Sequence, residues 1–206
     1  MVREVTYDDV FDAQQHFRVL LDVMARPGKI ATFPAVAVTP PTGLETGAAY
    51  VALALVDSNA SYHLTEASHE ISTYLRMNTG STEAQLGAAD FIFAPAHASP
   101  EVWLEAKKGS LPYPETGATI VLQTERLSRE AFAHGTRLEL EGPGIASRQQ
   151  ITIAGLTAPA VESWQEANAE FPLGVDVMVV APGLNGAMIC TAIPRTTKLK
   201  LLSPAA

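Results

Sequence analysis

The segment Gly142-Pro143-Gly144-Ile145 raises the question of phosphate chemistry, because glycine-rich turns that follow strands hold phosphates in nucleotide enzymes. It comes directly after 137–141, where polar and apolar residues alternate as in a strand. A phosphate loop also needs several free backbone N–H groups, a lysine and a hydroxyl. Pro143 lacks an N–H group, and Ala146-Ser147-Arg148 follows in place of Gly-Lys-Ser. The dinucleotide pattern G-x-G-x-x-G also fails, because position 147 is serine. The local chemistry therefore favours a tight turn over a nucleotide loop.

Two arginines could still bind a phosphate group beside this turn. Arg148 and Arg195 each carry a planar guanidinium, which can hold a phosphate through two parallel hydrogen bonds. A pocket lined by Gly142, Gly144 and these arginines would make the protein a small-molecule enzyme or a sensor of phosphates or nucleotides. The alternative for each arginine is an ordinary ion pair or a solvated side chain, and this alternative is favoured.

No other side chains have the types and spacing of a catalytic or metal site. The histidines are scattered, and His69-Glu70 begins no H-E-x-x-H motif because position 73 is threonine. The chain has no G-x-S-x-G motif, and no lysine lies in an obviously apolar segment that would suit a Schiff base. Cys190, the only cysteine, lies in an apolar run, which favours a buried small residue over a nucleophile. We therefore expect neither catalytic residues nor metal ligands.

Composition and charge limit the class of protein. The 206 residues are 47% hydrophobic and 17% charged, which is typical of a folded globular chain and suits a single domain over 1–206. The net charge of −8 and the lack of a basic stripe argue against nucleic-acid binding. No apolar run has membrane-spanning length, and residues 1–9 have no signal-peptide core. We expect a soluble cytoplasmic protein, with apolar surface that partner subunits would cover.

Apolar periodicity, caps and breakers predict the elements that position these residues. The first helix is predicted to start after Asp8 or Asp9 and to stop at Arg26-Pro27-Gly28. Its predicted buried face is formed by Val10, Ala13, Phe17, Leu20, Leu21 and Met24. The other predicted helices are 48–56, 67–77, 100–107 and 159–169. The predicted strands are 29–33, 61–64, 90–94, 118–124, 137–141, 151–154, 175–181, 187–193 and 197–202. This order indicates an α/β fold with a partly antiparallel sheet in its second half.

A hairpin near the end of the chain suggests a second role for Arg195. Asn185-Gly186 is typical of a two-residue type I′ turn, in which both central residues have positive φ. In that register Asp176 lies directly opposite Arg195 on the same face, which predicts a structural ion pair. A four-residue loop over 183–186 would instead place Asp176 opposite Ile193. An Arg195 without an acidic partner, in an open cleft, would be a phosphate ligand.

Four sets of residues together resemble a known family. They are His16-Phe17-Arg18 with Met24-Ala25-Arg26-Pro27-Gly28, then Gly142-Pro143-Gly144-Ile145, then Phe171-Pro172-Leu173-Gly174-Val175-Asp176, and finally Ile193-Pro194-Arg195-Thr196-Thr197. In this order and at these separations they resemble the PhnH family, the H subunit of the carbon–phosphorus lyase system with which bacteria degrade phosphonates. The resemblance spans almost the whole chain. Its most specific part is F-P-L-G-V-D followed by P-R-T-T.

The resemblance implies a three-layer α/β fold similar to the large domain of pyridoxal-phosphate-dependent transferases, without the cofactor and its lysine. It implies a homodimer in isolation and, in the cell, a core complex with the G, I and J subunits. That complex makes α-D-ribose 1-methylphosphonate 5-triphosphate from ATP and methylphosphonate by displacing adenine, a reaction for which the I subunit is the implied catalyst. The J subunit, a radical-SAM iron–sulfur protein, then cleaves the carbon–phosphorus bond. The implied role of the H subunit is structural or regulatory, packed against J.

Overall fold

The computed structural model describes Glu4 and residues 6–202. Its helices are α1 Phe11–Ala25, α2 Thr46–Leu55, α3 His69–Thr79, α4 Glu101–Glu105 and α5 Ala158–Ala167. Its strands are β1 Ala31–Thr32, β2 Ser61–Leu64, β3 Thr82–Glu83, β4 Phe91–Pro95, β5 Thr119–Gln123, β6 Leu127–Ser128, β7 Gly135–Glu141, β8 Gln149–Ala154, β9 Asp176–Pro182, β10 Met188–Ile193 and β11 Lys198–Leu202. No helix among these residues is long and apolar enough to cross a membrane. The predicted absence of a signal-peptide core concerns residues 1–9, of which 1–3 and 5 lie outside the described residues.

The strands form two sheets, and the α/β prediction is confirmed. The larger is a mixed seven-stranded sheet with the order β1-β10-β9-β5-β4-β2-β3. Strands β3, β2, β4, β5 and β9 are parallel, whereas β10 and β1 are antiparallel to their neighbours. The smaller sheet is antiparallel with the order β11-β7-β8-β6. Strands β3 and β6 were not predicted, because two residues are too few to show a periodicity.

The core lies on both faces of the larger sheet. Along β5, Ile120 and Leu122 pack into one apolar cluster and Val121 packs into the other. The first cluster contains side chains of α4, α5 and the smaller sheet, and the second contains side chains of α1, α2 and α3. A strand that is covered on both faces can be apolar at every position, which explains the continuous apolar runs at 91–94 and 120–122. The result is three layers, with the larger sheet in the middle.

Helix α1 turns a different face to the core than its periodicity predicts. Val10, Phe17 and Leu21 are exposed by 69%, 45% and 57%. The buried side chains are His16, Leu20 and Val23, so the predicted buried face is wrong except for Leu20 and the partly covered Ala13 and Met24. The helix carries apolar side chains on two sides, and the side that is buried contains a histidine, which a hydropathy pattern counts as polar.

His16 is a buried histidine whose two ring nitrogens both have partners. Its ring lies 4.2 Å from that of Tyr50, centroid to centroid. Nε2 lies 2.9 Å from the carbonyl oxygen of Pro34, so it must donate, and Nδ1 then accepts from the Tyr7 hydroxyl at 3.1 Å. Burial lowers the pKa of His16, and the hydrogen bond to Pro34 opposes that shift only in part. His16 is therefore neutral in the folded protein at neutral pH.

Acid should destabilise the fold through His16. Because its folded-state pKa lies below the unfolded value of about 6.5, the unfolded chain takes up the proton first as the pH falls. The contribution of His16 to the free energy of unfolding is fully present above the unfolded-state pKa. Below that pH it falls by up to about 1.4 kcal/mol per pH unit. The fall ends once the pH is below the folded-state pKa. Urea denaturation of the wild type at pH values on either side of the unfolded pKa should show this decline, and His16→Gln should make it shallower. His134→Asn is the control, because His134 is exposed and its φ of 60° is tolerated by asparagine. Equal slopes for the wild type and His16→Gln would refute the prediction.

The turn between β9 and β10 forms as predicted. Asn185 and Gly186 have φ values of 56° and 76°. The N–H of Ala187 donates to the carbonyl of Leu184 at 3.1 Å, which closes the type I′ turn.

The register beyond this turn is shifted by one residue from the prediction. Gly183 also pairs with Ala187, its N–H donating to the Ala187 carbonyl at 2.7 Å, so Gly183 and Leu184 share one partner in a β-bulge. The observed pairs are Val177 with Ile193, Ala192 with Met178, Thr191 with Val179 and Cys190 with Val180. The predicted pair of Leu184 with Ala187 is present at the turn, but the predicted pairs of Val180 with Thr191 and Met178 with Ile193 are wrong. Continuing the observed register places Pro194, and not Arg195, opposite Asp176. The four-residue alternative is wrong as well, because it shifts the register by two residues.

Candidate functional site

The segment Gly142-Pro143-Gly144-Ile145 is a type II β-turn. The N–H of Ile145 donates to the carbonyl of Gly142 at 3.2 Å, and Gly144 has a φ of 81°. Proline suits the second position of such a turn and glycine the third, where φ must be positive. The prediction of a tight turn is confirmed.

Both glycines of this turn pack against other backbone segments. A Cβ on Gly144 would lie less than 3.0 Å from the Ala25 carbonyl oxygen, and one on Gly142 would lie 3.0 Å from the Thr196 carbonyl oxygen. The turn therefore joins the Met24–Gly28 motif at the end of α1 to the Ile193–Thr197 motif. Close approach of backbones is a structural reason for glycine at both positions.

A hollow of about 290 Å³ lies beside the turn. It is lined by Arg26, Pro27, Lys29, Arg129, Gly144, Ile145, Ala146 and Gln149. Three of these side chains are cationic, and neither Arg148 nor Arg195 is among the lining residues. The sequence predicts a phosphate pocket near this turn, but the cations that line the hollow are not the arginines predicted for it. Of the three cations, only Arg26 belongs to a motif noted in the sequence, the Met24–Gly28 segment. Nothing local in the sequence indicates that Arg129 lies near the end of α1.

Arg148 is a solvated side chain in an ion-pair network. It is 64% exposed, and its guanidinium lies 3.5 Å from Glu139 Oε1 and 3.8 Å from Glu141 Oε2. Its proposed role as a phosphate ligand of the pocket is unsupported by this placement, because it faces two carboxylates on β7. The ordinary ion pair is the observed state.

Arg195 forms an ion pair with Asp176. The two side chains are 11% and 18% exposed, and Arg195 NH2 lies 2.6 Å from Asp176 Oδ2. Nε lies 3.2 Å from both carboxylate oxygens, and the backbone N–H of Arg195 donates to Oδ1 at 2.8 Å. The remaining nitrogen donates to the Pro114 carbonyl. The ion pair is present although the predicted register is wrong, because Arg195 follows the last pair of the ladder and its side chain can reach back. These contacts support the structural role of Arg195 over that of a free phosphate ligand.

The same arginine holds two loops together at the start of β5 and β9. Its guanidinium contacts the carbonyl oxygens of Pro114 and Gly117 in the loop before β5. In the neighbouring segment before β9, the N–H of Gly174 donates to the carbonyl of Lys108 at 3.0 Å. A Cβ on Gly117 would lie 2.5 Å from Arg195 NH1, so this glycine leaves room for the guanidinium. The F-P-L-G-V-D and P-R-T-T motifs therefore meet in one packed cluster.

This cluster forms one wall of a cavity of about 510 Å³ between α5 and β11. Its lining residues are Trp164, Gln165, Asn168, Ala169, Phe171, Arg195, Thr196, Thr197, Lys198 and Leu199. Arg195 offers no free charge there, so Lys198 is the cation that a ligand in this cavity could reach.

A crevice also opens at the carboxyl ends of the parallel strands. From β2 the chain runs outward to the edge strand β3 and then returns to β4, which lies on the other side of β2. Such a reversal of strand order is a topological switch point, and open α/β sheets bind ligands at these points. Two adjoining hollows of about 160 and 280 Å³ lie there and share Gly43, Pro95 and Gln123. Their charged side chains are Glu45, Glu66 and Glu125, beside His97, with no lysine or arginine. The charged side chains of this crevice are therefore unfavourable for a phosphate ligand.

Cys190, Lys29 and Lys107 are buried or paired. Cys190 is fully buried in β10, and burial raises its pKa to about 12, so the interpretation as a small buried residue is confirmed. Lys29 pairs with Asp22 at 2.6 Å, and Lys107 pairs with Asp90. Within the part of the chain that the structure covers, no group of three or more His, Cys, Asp or Glu residues is placed to hold a metal ion.

Comparisons with known proteins show which family the chain resembles over nearly its whole length. Residues 6–200 match the family described as bacterial phosphonate metabolism protein (PhnH). The putative C-P lyase subunit protein HtxG of Stutzerimonas stutzeri is 32% identical over 188 residues, which are 91% of this chain and 86% of that protein. The alpha-D-ribose 1-methylphosphonate 5-triphosphate synthase subunit PhnH of Rhizobium meliloti (strain 1021) is 32% identical over 201 residues, 94% of this chain and 92% of that protein. The match extends from before α1 into β11 and includes every motif described above, and the chain belongs to the PhnH family of bacterial phosphonate metabolism proteins.

Proposed function

We propose that this protein is a cytoplasmic, non-catalytic subunit of the carbon–phosphorus lyase core complex, in which it supports the synthesis of α-D-ribose 1-methylphosphonate 5-triphosphate. The observation that carries the proposal is the nearly end-to-end match to two relatives named as subunits of such systems. The packing of the motifs supports it. The turn at 142–145 and the Asp176–Arg195 pair hold segments of the fold together, which is a structural use of the residues that resemble the family.

Purification from cells grown on methylphosphonate tests this proposal. A tagged chain is expected to bring the G, I and J subunits with it, identified by mass spectrometry. The isolated chain is expected not to consume ATP in the presence of methylphosphonate. A nucleosidase or transferase activity of the isolated chain, or a tagged chain that purifies alone from these cells, would overturn the proposal.

We further propose that the isolated protein is a homodimer that pairs through the exposed face of α1. Val10, Phe17 and Leu21 follow one another along this face at helical spacing and are all exposed. A twofold axis would pack two copies of α1 antiparallel, so that each stripe covers the other.

A single charge on this face should therefore break the dimer. Leu21→Glu is expected to change the mass measured by light scattering from that of a dimer to that of a monomer at micromolar concentration. It would bury an unpaired carboxylate in each half of the interface. Leu111→Glu is the matched control, because Leu111 is also exposed but lies in the loop before β5. A monomeric wild type, or a Leu21→Glu variant that stays dimeric, would contradict the assignment.

We also propose that the three layers correspond to the large domain of pyridoxal-phosphate-dependent transferases, without the cofactor. The crevice at the carboxyl ends of β2, β4 and β5 supports the second part, since its lining contains no lysine to form a Schiff base and no arginine to hold the cofactor phosphate.

A further inference from the structure

The hollow beside the turn at 142–145 has an excess of positive charge. The carboxylate of Asp22 contacts both Arg26 and Lys29, so one negative charge is shared by two cations. Arg129 is exposed, and no carboxylate of the described residues lies within ion-pair distance of it. No aspartate or glutamate lines the hollow. The hollow should therefore attract anions, although the chain as a whole has a net charge of −8.

The three cations come from separate parts of the chain. Arg26 caps the end of α1, Lys29 follows the Pro27-Gly28 turn, and Arg129 follows β6. They converge because the turn at 142–145 packs against Ala25 and Pro27. Pro27, Ile145 and Ala146 supply apolar surface between the charges. Such surface displaces water and strengthens the attraction between an arginine and an anion.

The shape and charge of the hollow indicate the size of the ligand. A volume of about 290 Å³ is at the small end of the range for ligand pockets, about 300–1,000 Å³. It suits a phosphate-sized group better than a whole nucleotide. The end of α1 carries a partial negative charge, so the side chains must hold the anion without help from the helix. Two arginines suit this task, since each can form paired hydrogen bonds to a phosphate or phosphonate.

We propose that Arg26, Lys29 and Arg129 form a binding site for a phosphate-type dianion, either free phosphate, a phosphonate or the terminal phosphate of an ester. The site rests on the charges and the cavity and does not depend on membership of the lyase complex. Binding requires no covalent step, and it would give the subunit a way to sense or retain a substrate-sized anion.

The site can be tested with the isolated full chain at constant ionic strength. Inorganic phosphate, methylphosphonate and ribose 5-phosphate are titrated separately, and amide chemical shifts are followed by NMR. Saturable shifts are expected at Lys29, Gly144 and Ala146 with at least one probe, and the relative affinities of the three show which source of the dianion the site prefers. Arg129→Gln is expected to raise the Kd at least about tenfold, which corresponds to about 1.4 kcal/mol.

Arg148→Gln is the matched control, because Arg148 is exposed and nearby in sequence to the turn but does not line the hollow. It should leave the Kd unchanged. Since Arg129 is exposed, Arg129→Gln should also keep the wild-type melting temperature. The site is refuted if no probe gives saturable shifts at millimolar concentration, if Arg129→Gln binds like the wild type, or if Arg148→Gln weakens binding as much. None of these results bears on co-purification with the other subunits, so the two proposals fail separately.

Discussion

Asp176→Ala is expected to lower the free energy of unfolding by up to about 3–5 kcal/mol, the cost of removing one partner of a fully buried ion pair, because most of the Asp176–Arg195 pair is covered. The guanidinium of Arg195 would be left 11% exposed without its carboxylate, and the backbone N–H of Arg195 would lose its acceptor. Urea denaturation monitored by circular dichroism measures the change. Arg195→Ala should cost a similar amount, because it leaves Asp176 unpaired and also releases the carbonyls of Pro114 and Gly117.

The double variant and an exposed pair provide the controls. Asp176→Ala combined with Arg195→Ala should destabilise less than the sum of the single changes, because no unpaired charge remains. Glu141→Ala removes a partner of the exposed Arg148 and should change stability by no more than about 0.5 kcal/mol. If Asp176→Ala were as mild as Glu141→Ala, the pair would not hold the two loops together.

Gly144→Ala is expected to destabilise the protein by about 2–5 kcal/mol. About 1–2 kcal/mol comes from an alanine at a φ of 81°. A further 1–3 kcal/mol or so comes from overpacking, because the new Cβ would press on the Ala25 carbonyl oxygen and the ring of Pro27. The same measurement of urea denaturation applies.

Gly186→Ala separates these two costs. Gly186 has a φ of 76°, close to that of Gly144, but a Cβ there would meet nothing within 4 Å. It should therefore cost only the conformational part, about 1–2 kcal/mol. Equal losses for the two variants would mean that Gly144 is not selected for close packing of the turn against the end of α1.

Several features of the site were predictable because local chemistry decides them. Pro143-Gly144 favours a type II turn because proline suits its second position and glycine its third, and Asn185-Gly186 favours a type I′ turn because both residues tolerate a positive φ. The exclusion of a nucleotide loop at 142–145 also needed no tertiary information, because Pro143 cannot donate a hydrogen bond.

The sequence by itself determined the α/β class and the membership of a family, because these depend on periodicity and on ordered motifs. Only the tertiary structure decided which face of α1 is buried, since the helix is apolar on two sides and the contacts of His16 select between them. The register of β9 and β10 also required it, because a bulge at Gly183 and Leu184 leaves no mark in the residue pattern. The meeting of Arg26, Lys29 and Arg129 around one hollow is likewise a result of folding, because residues about 100 apart in the chain become neighbours only when the sheets pack.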